Sequence, residues 1–153
     1  MTYKQKNFKL KKIISIYIIF YRVNLVVGTI LVIDCDPPYD TLTIPDITVI
    51  SPNYPLTYGY GHYCQTTLTS DSSVRLKFED FNLDDDDSCK IDWLEVRDGN
   101  SSDSEMIGSK LCGNDIPDEV TSTGKSLTLI FQSNDYFNSL DTGFQITASS
   151  GKN

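Results

Sequence analysis

At 153 residues the chain is long enough for one well-cored domain plus an extension. The net charge is −8, and it is unevenly placed: from Thr29 onward 7 basic residues (13 less the 6 before it) meet all 21 acidic ones, a balance of −14. Such a domain would repel phosphates instead of displacing their counterions, which excludes nucleic acid as a natural partner and favours cations and basic protein surfaces.

Residues 1–33 read as a targeting element. Lys4, Lys6, Lys9, Lys11 and Lys12 precede the run IISIYIIFYRVNLVVGTILVI, apolar except for Arg22 and Asn24, and no acidic residue occurs before Asp34. A signal peptide over residues 1–28, with the small residue Gly28 before the cut, is the preferred reading. An uncleaved anchor is the alternative, since about 20 apolar residues can span a bilayer. Arg22 counts against it, because a mid-span arginine costs roughly 2.5–3.5 kcal/mol on insertion scales. Either membrane reading keeps the lysines cytoplasmic and exports the remainder. The expected organisation is then a short linker over 29–34, a domain over 35–148 and a polar tail over 149–153.

After Cys35 the pattern has period two. Val74, Leu76 and Phe78 alternate with Arg75, Lys77 and Glu79; Leu94 and Val96 alternate with Trp93, Glu95 and Arg97. Leu127, Leu129 and Phe131 follow, then Phe144, Ile146 and Ala148. Breakers such as Asp98-Gly99, Gly113-Asn114 and Thr142-Gly143 separate these stretches, and no amphipathic helix of useful length occurs beyond residue 34. The spacing predicts an all-β fold, an antiparallel two-sheet β-sandwich with one face of each strand buried.

Four cysteines, Cys35, Cys64, Cys89 and Cys112, read as two disulfides in an exported chain. A zinc site lacks support, because there is no C-x-x-C spacing and His62 is the only histidine. Three pairings are open. The simplest, Cys35–Cys64 with Cys89–Cys112, closes loops of about 25–30 residues, each contributing on the order of 3–4 kcal/mol. Asn100-Ser101-Ser102 is a glycosylation sequon on the turn after Asp98-Gly99.

Between two strand-like stretches lies FNLDDDDSCKIDWLEV, with four consecutive aspartates, Asp84 to Asp87. From Asp84 the spacing mimics an EF-hand loop, but Cys89 stands where the turn needs Gly and the flanks are strands. Asp92 shares the face of Leu94 and Val96, so its carboxylate requires a partner or a metal. Clustered hard oxygens at a strand end suit Ca²⁺, which takes 6–8 oxygen ligands without strict geometry. A solvated loop is the plainer alternative.

Taken in order, ISPNYPLTY, Cys64, VRLKFEDFNL, CKIDWLEVRDG, IGSKLCG, SLTLIFQS and TGFQI resemble the CUB domain, the extracellular β-sandwich module of complement and tolloid-type proteases and of spermadhesins, over Cys35 to Ala148. The resemblance implies a jelly-roll-like sandwich and the pairing Cys35–Cys64 and Cys89–Cys112. It also implies a Ca²⁺ site: Asp84, five before the third Cys, and Asp92, three after it, stand at ligand positions, with Asp84 where the family usually has Glu. The third ligand position, in the family motif F-x-S-D, is Asn134 here, with Asp135 one residue later; either would serve. Tyr58 matches the tyrosine that braces the acidic ligand, whereas Thr66 stands where the family often has Trp.

The resemblance further implies a non-catalytic recognition module, whose metal-fixed carboxylates accept a basic side chain of an extracellular protein partner. Two other classes are weighed. A spermadhesin-like binder of neutral carbohydrate would use Tyr54, Tyr58, Tyr60, Tyr63 or Trp93 as stacking faces. An enzyme finds little support: no H-E-x-x-H or G-x-S-x-G occurs, and Asp92 and Glu95 fall on opposite faces of one strand. A CUB fragment of a larger mosaic protease or matrix protein remains compatible with the sequence.

Overall fold

The computed structural model describes residues 29–37, 39, 41–44, 46–135 and 140–151. The targeting segment 1–28, with its expected cut after Gly28, and the last two residues of the expected tail lie outside them.

Among the described residues, nine strands form two facing sheets. In chain order they are β1 (Thr29–Val32), β2 (Thr41–Thr43), β3 (Asp46–Ile50), β4 (Tyr63–Thr69), β5 (Val74–Asn82), β6 (Trp93–Arg97), β7 (Val120–Thr121), β8 (Ser126–Gln132) and β9 (Gly143–Ser150). One sheet runs β1-β3-β9-β5-β7 and the other β2-β4-β8-β6. The pairings are antiparallel except at two edges, where β1 lies parallel to β3 and β2 parallel to β4. The sandwich is therefore mixed at its margins, a refinement of the antiparallel expectation.

The core forms where inward residues of both sheets meet: Val49, Val74, Leu76, Ile146 and Ala148 against Cys64, Leu68, Leu94, Leu127, Leu129 and Phe131. Burying each of the larger side chains contributes about 1.5–3 kcal/mol before entropy is counted. Residues 29–34, expected as a linker, are instead largely strand. Leu31 packs on the core, Ile33 is buried in it, and the Ile33 N–H donates to Ile50 O at 2.9 Å. Apolar residues inside a run that reads as membrane-directed thus belong to the sandwich edge. At the other end, β9 carries two residues of the expected tail, Ser149 and Ser150, into the sheet.

Clean alternation holds in β5, where Val74, Leu76 and Phe78 are buried and Arg75, Lys77 and Glu79 exposed. It fails in β6 and β8, which bury both faces. On the outer side of β6 the Lys110 ammonium covers the Trp93 ring at 3.7 Å, and Glu95 pairs with Arg97 and Lys110. Thr67 and Thr128 share a hydroxyl hydrogen bond of 2.9 Å on that same side.

One irregularity sets up the site. The β5–β9 register shifts between Phe78 and Asp80, a bulge that lets Phe78 and Phe81 both point inward although they are three apart. Leu83 is buried in turn, and Asp84 emerges at the tip of the sandwich. The Leu83 N–H donates to Gly113 O, and the Gly113 N–H donates to Asp84 O, which fixes that exit.

Candidate functional site

At the tip, Tyr58 is the organising side chain. It is fully buried, edge-on to Phe131 at 5.3 Å, and Phe131 is edge-on to Phe144 at 5.5 Å. This aromatic stack from β8 and β9 holds the ring, an arrangement worth about 0.5–1.5 kcal/mol per pair beyond area alone. The Tyr58 hydroxyl then donates to Asp92 Oδ2 at 2.5 Å and accepts from the Asp84 N–H at 3.3 Å. Asp92, just before β6, is only 2 % exposed, and its other oxygen accepts from the Asn134 N–H at 2.7 Å. Three segments distant in sequence, at Tyr58, at Asp84 to Asp92 and at the Asn134 peptide, therefore converge. Both Asp92 oxygens are engaged, so a partner approaching from solvent meets Asp84, not Asp92.

Three of the four aspartates differ in what they touch. Asp86 is a loop staple: its carboxylate accepts from the N–H groups of Ser88, Lys90 and Ile91 and from the Ser88 hydroxyl. Those bonds, the one from Ile91 foremost, hold its carboxyl below the usual carboxylate range. Asp85 lies against Gly113, where an added Cβ would come within 3.2 Å of its Oδ1. Asp84 is half-buried, and burial pushes its carboxyl up; the charges of Asp92, Asp141, Asp86 and Asp85 push the same way. Within the acidic run Asp86 thus holds the turn, while Asp84 sits in a negative field.

Asp141 has no counterpart in the sequence reading. It precedes β9, its carbonyl accepts from the Tyr58 N–H at 3.4 Å, and its charge bears on Asp84. With the Asn82 amide oriented to satisfy both its ends, that amide donates to Asp141 Oδ1 at 3.2 Å. Its nearness to Tyr58 comes from the turn into β9, which no local spacing announces.

At the expected third-ligand position, Asn134 places its N–H on Asp92 and its carbonyl on the Gly61 N–H, which donates across 2.5 Å. Asp135 is exposed and turns toward Gly61, whose hypothetical Cβ would lie 3.3 Å from Asp135 Oδ1. Asp135 is not among the charges that raise Asp84. Residues 61–63 and 132–135 line a shallow hollow of about 220 Å³ next to this centre.

Among the described residues, the only three His, Cys, Asp or Glu side chains whose ligand atoms gather within 4.8 Å are Cys35, His62 and Cys64. Both of those sulfurs are tied in the Cys35–Cys64 disulfide, so neither offers a thiolate. The second bridge is Cys89–Cys112, and it closes the acidic loop onto the strand-like segment beside β6. The disulfide pairing is the one that the resemblance implies.

Of the five aromatic residues weighed for sugar stacking, Tyr58 and Trp93 are buried, and Tyr54 is partly buried with its hydroxyl on Asp80 Oδ2 at 2.8 Å. Tyr60 and Tyr63 remain open, 55 % and 45 % exposed. Asn100 is exposed on the turn after β6. Thr66, in place of tryptophan, is buried and uses its hydroxyl to accept the Asp34 N–H at 3.1 Å, which ties β4 to the segment after β1. No helix among the described residues is long and apolar enough to cross a membrane.

Comparison with known proteins places this architecture. Cubilin of Sus scrofa is 41 % identical over 90 residues, 58 % of this chain and 2 % of cubilin. The dorsal-ventral patterning protein tolloid of Drosophila melanogaster is 37 % identical over 90 residues, again 58 % of this chain but 8 % of tolloid. The chain thus spans a small fraction of the curated relatives it matches. Among solved structures, the extracellular region of zebrafish Gpr126/Adgrg6 aligns with a TM-score of 0.62 at 27 % identity, covering 76 % of this chain and 14 % of that one. The MASP-1 CUB2 domain bound to Ca²⁺ aligns with a TM-score of 0.62 at 24 % identity, covering 72 % of this chain and 97 % of that one, a likeness of fold. The family model for the CUB domain matches residues 35–147, and on that match the chain belongs to the CUB domain family.

Proposed function

We propose that this chain is a non-catalytic extracellular recognition module, whose acidic tip binds Ca²⁺ and presents a carboxylate to a basic side chain of a protein partner. Two disulfides support an exported location, since such bonds persist in oxidising compartments. Membership in a module family represented in cubilin and tolloid supports recognition over catalysis.

The observation that carries the metal reading is the meeting of the Asp92 carboxylate and the Asp84 N–H at one tyrosine hydroxyl, with the charges of Asp92 and Asp141 both bearing on the Asp84 carboxyl. The donor set is all hard oxygen, which fits calcium and not zinc or copper. Asp84 and Asp92 would hold the ion, with Asn134 supplying a third oxygen and Asp141 adding charge. Among the described residues no three carboxylates bring their oxygens within 4.8 Å of one another, so the carboxylates would have to draw closer to complete the site. When bound, calcium supplies the positive charge that offsets the mutual repulsion of these carboxylates. The residues of the chain do the remainder: Tyr58 and Asn134 keep Asp92 aimed, and Asp84 takes the partner's ammonium in a charge-assisted hydrogen bond.

Calcium affinity is set at the weak end, 0.1–1 mM, typical of extracellular modules. Calcium at 10 mM should then stabilise the fold by about 1.4–2.7 kcal/mol by mass action. Thermal unfolding in calcium against chelator tests this, and Asp92→Ala should abolish the difference. A melting temperature indifferent to calcium removes the metal, and a shift that survives Asp92→Ala removes the ligand assignment.

A further inference from the structure

Asp92 is buried with both carboxylate oxygens engaged, so the tip offers a basic partner less open carboxylate than its sequence suggests. The hollow beside it does better. Its floor is the start of β4 against the end of β8, where Tyr63 pairs with Gln132. Tyr63 is 45 % exposed, and its ring meets the tilted ring of Tyr39 at 6.4 Å between centroids. Asp135, another lining residue, lies over Gly61 in space that a side chain at Gly61 would contest. His62 is held between them by its backbone, whose N–H donates to the Ser133 hydroxyl and whose carbonyl accepts the Ser133 N–H.

An exposed aromatic residue and a carboxylate lining one hollow are the pairing that seats an ammonium or guanidinium group: the ring attracts the cation by its quadrupole and the carboxylate by its charge. No lysine or arginine lines the hollow, and the domain around it is strongly acidic. At about 220 Å³ it falls below the roughly 300–1,000 Å³ of pockets for drug-sized ligands, which suits one side chain. The Asn134 peptide joins hollow and metal centre, with its N–H on Asp92 and its carbonyl on the Gly61 N–H.

We propose that the hollow between Tyr63 and Asp135 is a second seat for a basic side chain of the protein partner, one that works without the metal. The proposal rests on the reading that the partner is basic, but not on calcium. Two anchors a short distance apart would give the tip preference for paired basic residues over a lone lysine, since the second contact is made within an already formed complex.

The test is a titration of the ¹⁵N-labelled protein with acetyl-Gly-Lys-Gly-amide, with its norleucine counterpart and with methyl glucoside, each in calcium and in chelator. The lysine peptide should shift the amides of Gly61, Tyr63 and Asp135 in both conditions, and the norleucine peptide should not. Asp135→Asn and Tyr63→Ser should each weaken that binding about two- to five-fold, the range of an exposed ion pair or cation–π contact. Shifts confined to Asp84 and Asp92 and lost in chelator would overturn the second seat while leaving the calcium reading intact. Shifts at the hollow in both conditions, with no calcium response anywhere, would sink the calcium reading and keep the seat. Equal shifts from norleucine, or shifts from the glucoside alone, would mean that the hollow does not recognise a cation.

Discussion

Tyr58 donates its hydroxyl proton to Asp92 Oδ2 across 2.5 Å, joining two loops 34 residues apart inside the sandwich tip. Hydrogen bonds to a buried charge are among the strong ones, contributing about 1.5–3 kcal/mol. Tyr58→Phe keeps the ring on Phe131 and removes only the hydroxyl, so it should destabilise the fold by that amount, read from the urea midpoint at neutral pH. It should also weaken calcium binding, because Asp92 loses its aim. An unchanged midpoint would mean that the hydroxyl braces nothing.

Acid and metal interact at this tip through two aspartates with opposite tendencies. Asp84 is raised, by burial first and by Asp92, Asp141, Asp86 and Asp85 next. Between the ordinary carboxylate pKa and its raised value, the folded state binds more protons than the unfolded one. Without metal, its contribution to stability therefore falls as pH rises through that window and stays low at neutrality. Asp86 is lowered, by the Ile91 N–H first. Its contribution is present above the ordinary carboxylate range and is lost as pH falls through its lowered value. Asp84→Asn should thus stabilise the chelated protein at pH 7 and flatten the slope just above the ordinary range, whereas Asp86→Asn should destabilise it. Unfolding midpoints against pH in chelator check both signs, and an Asp84→Asn protein less stable than the parent at pH 7 would contradict the assignment.

The contrast between Asp84 and Asp86 also shows what a sequence discloses. Period-two alternation places β5 correctly, because Arg75, Lys77 and Glu79 face water and their neighbours face the core. The resemblance to the CUB domain singles out Asp84 and Asp92 by their places around Cys89, and the Asp92 carboxylate and the Asp84 N–H both meet the Tyr58 hydroxyl. Spacing does not separate Asp86 from its neighbours, since all four aspartates are alike until a turn chooses one to accept the loop's N–H groups. Nor does it find Asp141, which is brought to Tyr58 by the turn into β9. The strand at Thr29–Val32 is illegible for a different reason: an apolar run has the same composition whether it leads into a bilayer or forms an edge strand, and the pairing with β3 is not written in it. The wet outer face expected for β6 failed because Lys110 and Arg97 reach back over Trp93 and Glu95.

Asn100 is exposed on a turn, with Ser101 and Ser102 completing the sequon. Expression through a eukaryotic secretory pathway should attach one N-glycan, seen as a mass loss on enzymatic deglycosylation. Asn100→Gln should remove that difference and change stability by less than about 0.5 kcal/mol, as expected of an exposed position. A larger loss would mean that the turn depends on the asparagine itself.

Gly143 opens β9 beneath the site with φ +90°. A Cβ there would stand 1.9 Å from Ser51 Oγ and 2.7 Å from Ser51 Cβ, and 3.5 Å from the Tyr58 ring. Ser51 cannot retreat: it is fully buried, and its hydroxyl accepts the Phe144 N–H at 3.1 Å. Gly143→Ala therefore combines a left-handed backbone with a clash and a lost hydrogen bond, a cost of about 3 kcal/mol or more. It should also shift Asp141 and Tyr58, weakening calcium binding without touching a ligand. Ser51→Gly removes the clashing atoms, so the double variant should be more stable than the sum of the single losses, and the cycle isolates the steric part from the backbone part. Strict additivity would show that the backbone conformation, not Ser51, reserves this position for glycine.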